Sequence, residues 1–207
     1  MAKNFSFFAI LTIFCVCFLT CILPYPVFQK TANITASDIE KINNHNEIEL
    51  SISEPNSNII VTNLNWFDCT NDLFPTFMKT RIIDVETGKE FYVYRVGGIN
   101  HADIETIDAD NTAILLEIYN NAYSWKRRAV WVEIKPNLWV AGSINGYPHG
   151  ETYISDNNMT GHFCLHFLES KTHGTKRVDK AHQNCISYAY KNKEKIVKYL
   201  KNNDKNQ

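Results

Sequence analysis

Six of the chain's seven histidines fall between His101 and His182, and four of them, His149, His162, His166 and His173, crowd around one cysteine, Cys164. A thiol among imidazoles is a nucleophile with a base at hand. The free thiol titrates near pH ~8.5, and an adjacent imidazolium or base enlarges the reactive thiolate fraction. If residues 162–166 (HFCLH) are extended, His162, Cys164 and His166 project to one face, because side chains two apart in a strand point the same way. Base, nucleophile and polar partner would then converge. The competing reading is a cysteine that simply packs in an apolar strand.

The same residue types can hold a metal. His101-Ala102-Asp103 offers an imidazole and a carboxylate two residues apart. With His162 and His166, and with His149 nearby, these could supply three ligands to zinc and leave a fourth position for water, with Glu105 as a general base. No HExxH helix or paired-cysteine motif accompanies them, so the zinc alternative rests on residue type alone. His173-Gly174 competes with His149-Gly150 for the role of base. The surrounding KTHGTKR stretch, residues 171–177, reads as a polar loop that could meet a carboxylate or an anionic polymer.

The elements that must present these residues are mostly strands. NIIVTNLNWF from Asn58 suggests an entry strand, and TRIIDVETGKEFYVYRV a hairpin turning at Gly88. VGGINHAD contains a turn that demands positive φ at Gly97 or Gly98. DADNTAILLEIYNNAY carries apolar residues at helical spacing, with Asp108 or Asp110 as cap. RRAVWVEI and LWVAGSI flank KPN as a second hairpin that leads into the histidine-rich stretch. The C-terminal segment places Cys185, Ile186, Ala189, Tyr190, Ile196, Val197 and Leu200 on one helical stripe behind an Asp179 cap. The expected fold class is α+β, a mainly β core (sheet or barrel) with one internal amphipathic helix and a C-terminal helix, preceded by an N-terminal apolar helix.

Residues 4–28 contain no charged side chain, a length that could cross a bilayer of roughly 30 Å. Residues 1–28 therefore read as a transmembrane anchor or a signal peptide, 29–57 as a polar linker, and 58–207 as one extracytoplasmic domain. Lys and Arg (21) nearly balance Asp and Glu (22), which argues against a nucleic-acid surface. Outside the apolar segment lie Cys69, Cys164 and Cys185, enough for one disulfide and a free thiol or for three unpaired thiols.

The order His149-Gly150, then GHFC, then an aliphatic residue resembles the signature of the L,D-transpeptidases, the cysteine enzymes that cross-link bacterial peptidoglycan. The resemblance implies that Cys164 attacks the acyl donor, that His149 is the base oriented through the Gly150 carbonyl, and that amides around His162, Phe163 and Cys164 form an oxyanion hole. Gly161, Phe163 and His166 depart from that pattern, where Ser, Gly and Arg or Asn are usual. A wider stretch, from Trp66 to about Ala189, resembles an exported domain of low-GC Gram-positive bacteria that has no assigned reaction and often stands beside wall-binding modules. The expected function is a membrane-associated, cell-wall cysteine acyltransferase or hydrolase without a cofactor, its catalytic residues Cys164, His149, Gly150, His162 and His166. The alternatives are a zinc-dependent wall peptidase (His101, Asp103, His162, His166) and a non-catalytic peptidoglycan-binding domain.

Overall fold

The computed structural model describes residues 59–204. The anticipated apolar N-terminal helix and the polar linker lie outside those residues. Among the described residues, no helix is long and apolar enough to cross a membrane.

The domain is α+β and built on a six-stranded closed barrel. After β1 (Ile60–Thr62), a π-helical turn at Trp66–Thr70 runs into the short α1 (Asn71–Leu73). The strands β2 (Lys79–Asp84), β3 (Glu90–Gly97) and β4 (Ala102–Thr106) then form an antiparallel meander. Helix α2 (Ala109–Ile118) leads to the hairpin β5 (Arg128–Lys135) and β6 (Leu138–Ile144), and β7 (Phe163–His166) follows after a long connection. The neighbour order β5-β2-β3-β4-β7 closes on itself because β6 pairs with both β5 and β7. One edge of β6 is shared: Leu138–Val140 pair with β1 in parallel, and Ser143–Ile144 pair with β7.

Alternation along each strand divides two apolar clusters between the barrel's faces. Ile82, Phe91, Val93, Ile104, Val130, Val132, Val140, Phe163 and Leu165 fill the interior, joined by Leu115 and Ile118 of α2. The opposite parity gives Ile83, Ala129, Trp131, Trp139 and Ala141, which are covered by Ile186 and Ala189 of α3 (Lys180–Lys191) and Ile196 and Leu200 of α4 (Lys193–Asp204). Both anticipated caps form: Asp108 accepts from Asn111 N at the start of α2, and Asp179 from His182 N at the start of α3. The single expected C-terminal helix is two helices, interrupted at Asn192, whose side chain donates to Tyr188 O. The amide of Asn192 competes locally for the carbonyls that would continue the ladder. All three described cysteines are unpaired, Cys69 beside the inner cluster and Cys185 beside the outer one.

Candidate active site on the outer face of β4 and β7

Since Ala102, Ile104, Phe163 and Leu165 point into the barrel, Asp103, Glu105, Cys164 and His166 must point out of it. Register makes them neighbours: Asp103 lies opposite Cys164, and Ser143 opposite His166. Strand β4, which sequence periodicity did not mark, is what carries Asp103 to the thiol. Its five residues alternate in type, Ala-Asp-Ile-Glu-Thr, but the run is short and its polar side chains are buried with the apolar ones.

Three connections roof this face. The first is the turn 97–101, made possible by Gly98 at φ +92°, where a Cβ would overlap His101 O. Trp66 Nε1 donates to Ile99 O at 2.8 Å, and the buried Arg95 guanidinium donates to Gly97 O and Gly98 O, so the turn that aims His101 is held from below. The second is the loop 145–162, closed by a mutual pair of backbone hydrogen bonds between His149 and His162 at 2.8 and 2.9 Å. Glycine is needed on both sides of this bridge. A Cβ on Gly150 (φ +70°) would come within 2.4 Å of the His162 ring, and one on Gly161 (φ +98°) within 2.6 Å of His149 O. The third is the loop after β7, which carries His173 and is tied to the first turn through Lys171 N donating to Asn100 O.

Six titratable side chains meet beneath this roof. Cys164 Sγ is 3.3 Å from His149 Nε2. Asp103 Oδ1 is 3.0 Å from His173 Nε2, 3.3 Å from His101 Nε2 and 3.7 Å from His162 Nε2. His101 Nε2 and His173 Nε2 are 3.0 Å apart. Backbone carbonyls fix the tautomers, because a carbonyl can only accept. His101 Nδ1–H donates to Lys171 O at 2.6 Å, His149 Nδ1–H to Tyr147 O at 2.9 Å, and His162 Nδ1–H to Glu151 O at 3.3 Å. Each of the three rings therefore aims Nε2 inward.

The electrostatics follow from this crowding. Burial pushes the Cys164 thiol up, but hydrogen bonds from His101, His149, His166 and His173 outweigh it and hold the thiol far below its ordinary range. Burial likewise opposes charge on His101, and its contacts with Asp103 and Cys164 raise it nonetheless to about 10. The sulfur contact raises His149 and His173. Asp103 is held below the usual carboxylate range: burial works against ionisation, and His101, His162 and His173 overcome it. These contacts favour the thiolate form of Cys164 beside a protonated imidazole.

Each residue singled out by sequence has a definite place here. Cys164, His149 and His162 converge as expected, and so do His101 and Asp103. The carbonyl that orients His149 is that of Tyr147, and the His162 amide is occupied by His149 O, so it does not face a developing oxyanion. His166 contacts Cys164 from behind, in a stack between His101 (4.3 Å) and His182 (3.8 Å). It is absent from the donor atoms that cluster within 4.8 Å of one another, where His173 stands instead. Glu105 is fully buried, its carboxylate accepting from Tyr153 N and Ile154 N, and so it pins the 145–162 loop and is not poised as a base.

Two features of the site carry no sequence signal of their own. His182, buried on α3, reaches back to Ser143 Oγ at 2.9 Å and forms the floor of the histidine stack. At the mouth, the rings of Trp125 and Tyr147 stack at 4.9 Å, and Trp125 lies 4.9 Å from His149. Both aromatic residues are about half exposed and form a shelf that ends at the His149 ring.

No family model, no curated protein and no solved structure matches the chain.

Proposed function

We propose that the domain is a cysteine acyltransferase or hydrolase in which Cys164 is the nucleophile and His149 the general base and acid. The observation that carries this reading is the 3.3 Å contact between Cys164 Sγ and His149 Nε2, with the far nitrogen of that ring locked on Tyr147 O. Nucleophile, base and orienting acceptor stand in line, the arrangement that acyl transfer through a thiol requires.

The thiolate would attack a carbonyl carbon, and His149 would deliver its proton to the departing amine as the C–N bond breaks, leaving a thioester. His149 would then take a proton from the incoming amine or water as it expels the sulfur. With the His162 amide occupied, charge developing on the carbonyl oxygen would be met by the ring of His173, the more exposed imidazole beside the sulfur. The shelf of Trp125 and Tyr147 would seat the apolar or ring-bearing part of the acyl donor against His149. The His-Gly and Gly-His-x-Cys spacing supports the transpeptidase type, and with it a peptidoglycan stem peptide as acyl donor and a location outside the cytoplasmic membrane.

Intact-protein mass spectrometry with a penem β-lactam tests the reading. A thiolate that opens the lactam adds the whole mass of the drug to Cys164. The adduct should be absent in Cys164→Ser and should form at least tenfold more slowly in His149→Ala, since a positioned general acid–base contributes roughly 10²–10⁴-fold. Equal labelling of the wild type and His149→Ala would refute the dyad.

A further inference from the structure

The dyad uses two of the six groups that converge, and nothing in acyl transfer calls for the pair formed by His101 and Asp103. Asp103 is nine-tenths buried, and its Oδ1 makes no aligned hydrogen bond although three imidazole nitrogens lie within 3.7 Å of it. The surrounding imidazoles offset the charge of this buried carboxylate, and its Oδ1 keeps the capacity for an aligned partner.

The spacing of the donors identifies that partner. His101 Nε2, His173 Nε2 and Asp103 Oδ1 form a triangle with edges of 3.0, 3.0 and 3.3 Å. Tetrahedral zinc, at roughly 2.0–2.1 Å from nitrogen and oxygen ligands, holds such atoms about 3.3 Å apart. Cys164 Sγ completes a set of four donor atoms that all lie within 4.8 Å of one another. The outer support is also that of a metal centre, because His101 donates Nδ1–H to Lys171 O and so turns inward Nε2, whose proton a cation would displace. In the absence of a cation, the two Nε2 atoms 3.0 Å apart must share a single proton between them.

We propose that His101, Asp103, His173 and Cys164 form a zinc site, and that zinc occupancy blocks the nucleophile by ligating its sulfur. This inference rests on the acyl-transfer reading for its consequence, and not for the site itself. The four ligands fill a tetrahedral shell and leave no position for a catalytic water, so the bound metal is inhibitory and not hydrolytic. The sulfur cannot bond to zinc and attack a carbonyl at once, and zinc would therefore hold the enzyme inactive until the metal is withdrawn. Exposure of His173 gives the cation its entry, since the other three ligands are buried.

The experiment uses the full, reduced chain with Zn2+ or Co2+ as the only added probe. Native mass spectrometry should show one zinc per chain, and Co2+ should give a thiolate-to-cobalt absorption band that Cys164→Ser lacks. Alkylation of Cys164 by iodoacetamide, read on its own peptide, should slow about a hundredfold when zinc is present at a hundred times its Kd, because about 1% of the sites remain free. Chelator should restore the rate. Asp103→Asn and His173→Ala should each lose this protection while Cys164 remains open to alkylation. Absence of stoichiometric zinc, a cobalt band that survives Cys164→Ser, or alkylation at full speed with zinc bound would each overturn the proposal. Zinc protection without penem labelling would leave the metal site standing and sink the acyl-transfer reading. Penem labelling without zinc protection would do the reverse.

Discussion

Protonation of His182 should destabilise this domain in acid by an amount that the structure bounds. The ring is 1% exposed, stacked at 3.8 Å on His166 and hydrogen-bonded to Ser143 Oγ. Burial, then the neighbouring His166 and Arg127, push it down to about 2 from an ordinary value of 6.5; Asp179 and Cys164 act weakly the other way. The folded-state value is depressed, so between these limits the unfolded chain binds a proton that the native state refuses. Stability is therefore fully present above pH 6.5 and falls as the pH drops below it. At pH 5 the deficit spans 1.5 pH units at about 1.36 kcal/mol each, or about 2 kcal/mol, a sizeable share of the ~5–15 kcal/mol that a domain possesses. Urea unfolding followed by tryptophan fluorescence at pH 7.5 and 5.0, in the wild type and in His182→Gln, isolates the effect. The glutamine does not titrate, and the raised histidines at the site, His101, His149 and His173, contribute equally to both proteins. The wild type should lose about 2 kcal/mol more than the variant between the two pH values. Parallel losses in the two proteins would refute the claim that His182 is buried neutral.

Two further outcomes test the site. Because its imidazole partners hold the Cys164 thiol far below the ordinary range, alkylation of Cys164 in metal-free protein should stay nearly level from pH 8 to pH 6. An unperturbed thiol slows about tenfold per unit there, and a Cys164 profile that follows that slope would remove the thiolate–imidazolium pair. Gly161→Ala should cost about 1–3 kcal/mol in urea unfolding and slow penem labelling more than tenfold, since the new methyl meets His149 O at a positive-φ position. Normal labelling with normal stability would show that the His149–His162 bridge does not set the geometry of the dyad.

Local chemistry made much of the architecture legible. The two hairpins follow from β-branched and aromatic runs around Gly88 and around the Lys-Pro-Asn turn, where Asn137 takes φ +65°. The caps at Asp108 and Asp179 depend on a side chain and an amide three residues away, so they too can be read from the sequence. The same holds for one face of β7, where the period of two alone aligns His162, Cys164 and His166. The break at Asn192 is masked in the sequence because the apolar stripe continues through it.

Residue types along the chain set which atoms are available for chemistry, and the closed barrel sets which of them meet. Cys164 and His149 are fifteen residues apart and come together through a bridge that exists only because Gly150 and Gly161 lack a Cβ. Asp103 reaches the sulfur through strand pairing across sixty residues, and His173 and His101 meet through a loop held by Lys171. His166, whose type and parity matched its neighbours, is committed to a buried stack completed by His182 from α3, the helix that covers the outer face of β5 and β6. Periodicity reports the direction of a side chain from its own backbone. The identity of the group it faces depends on closure of the barrel, which is set by the packing of the whole inner cluster and by no single segment.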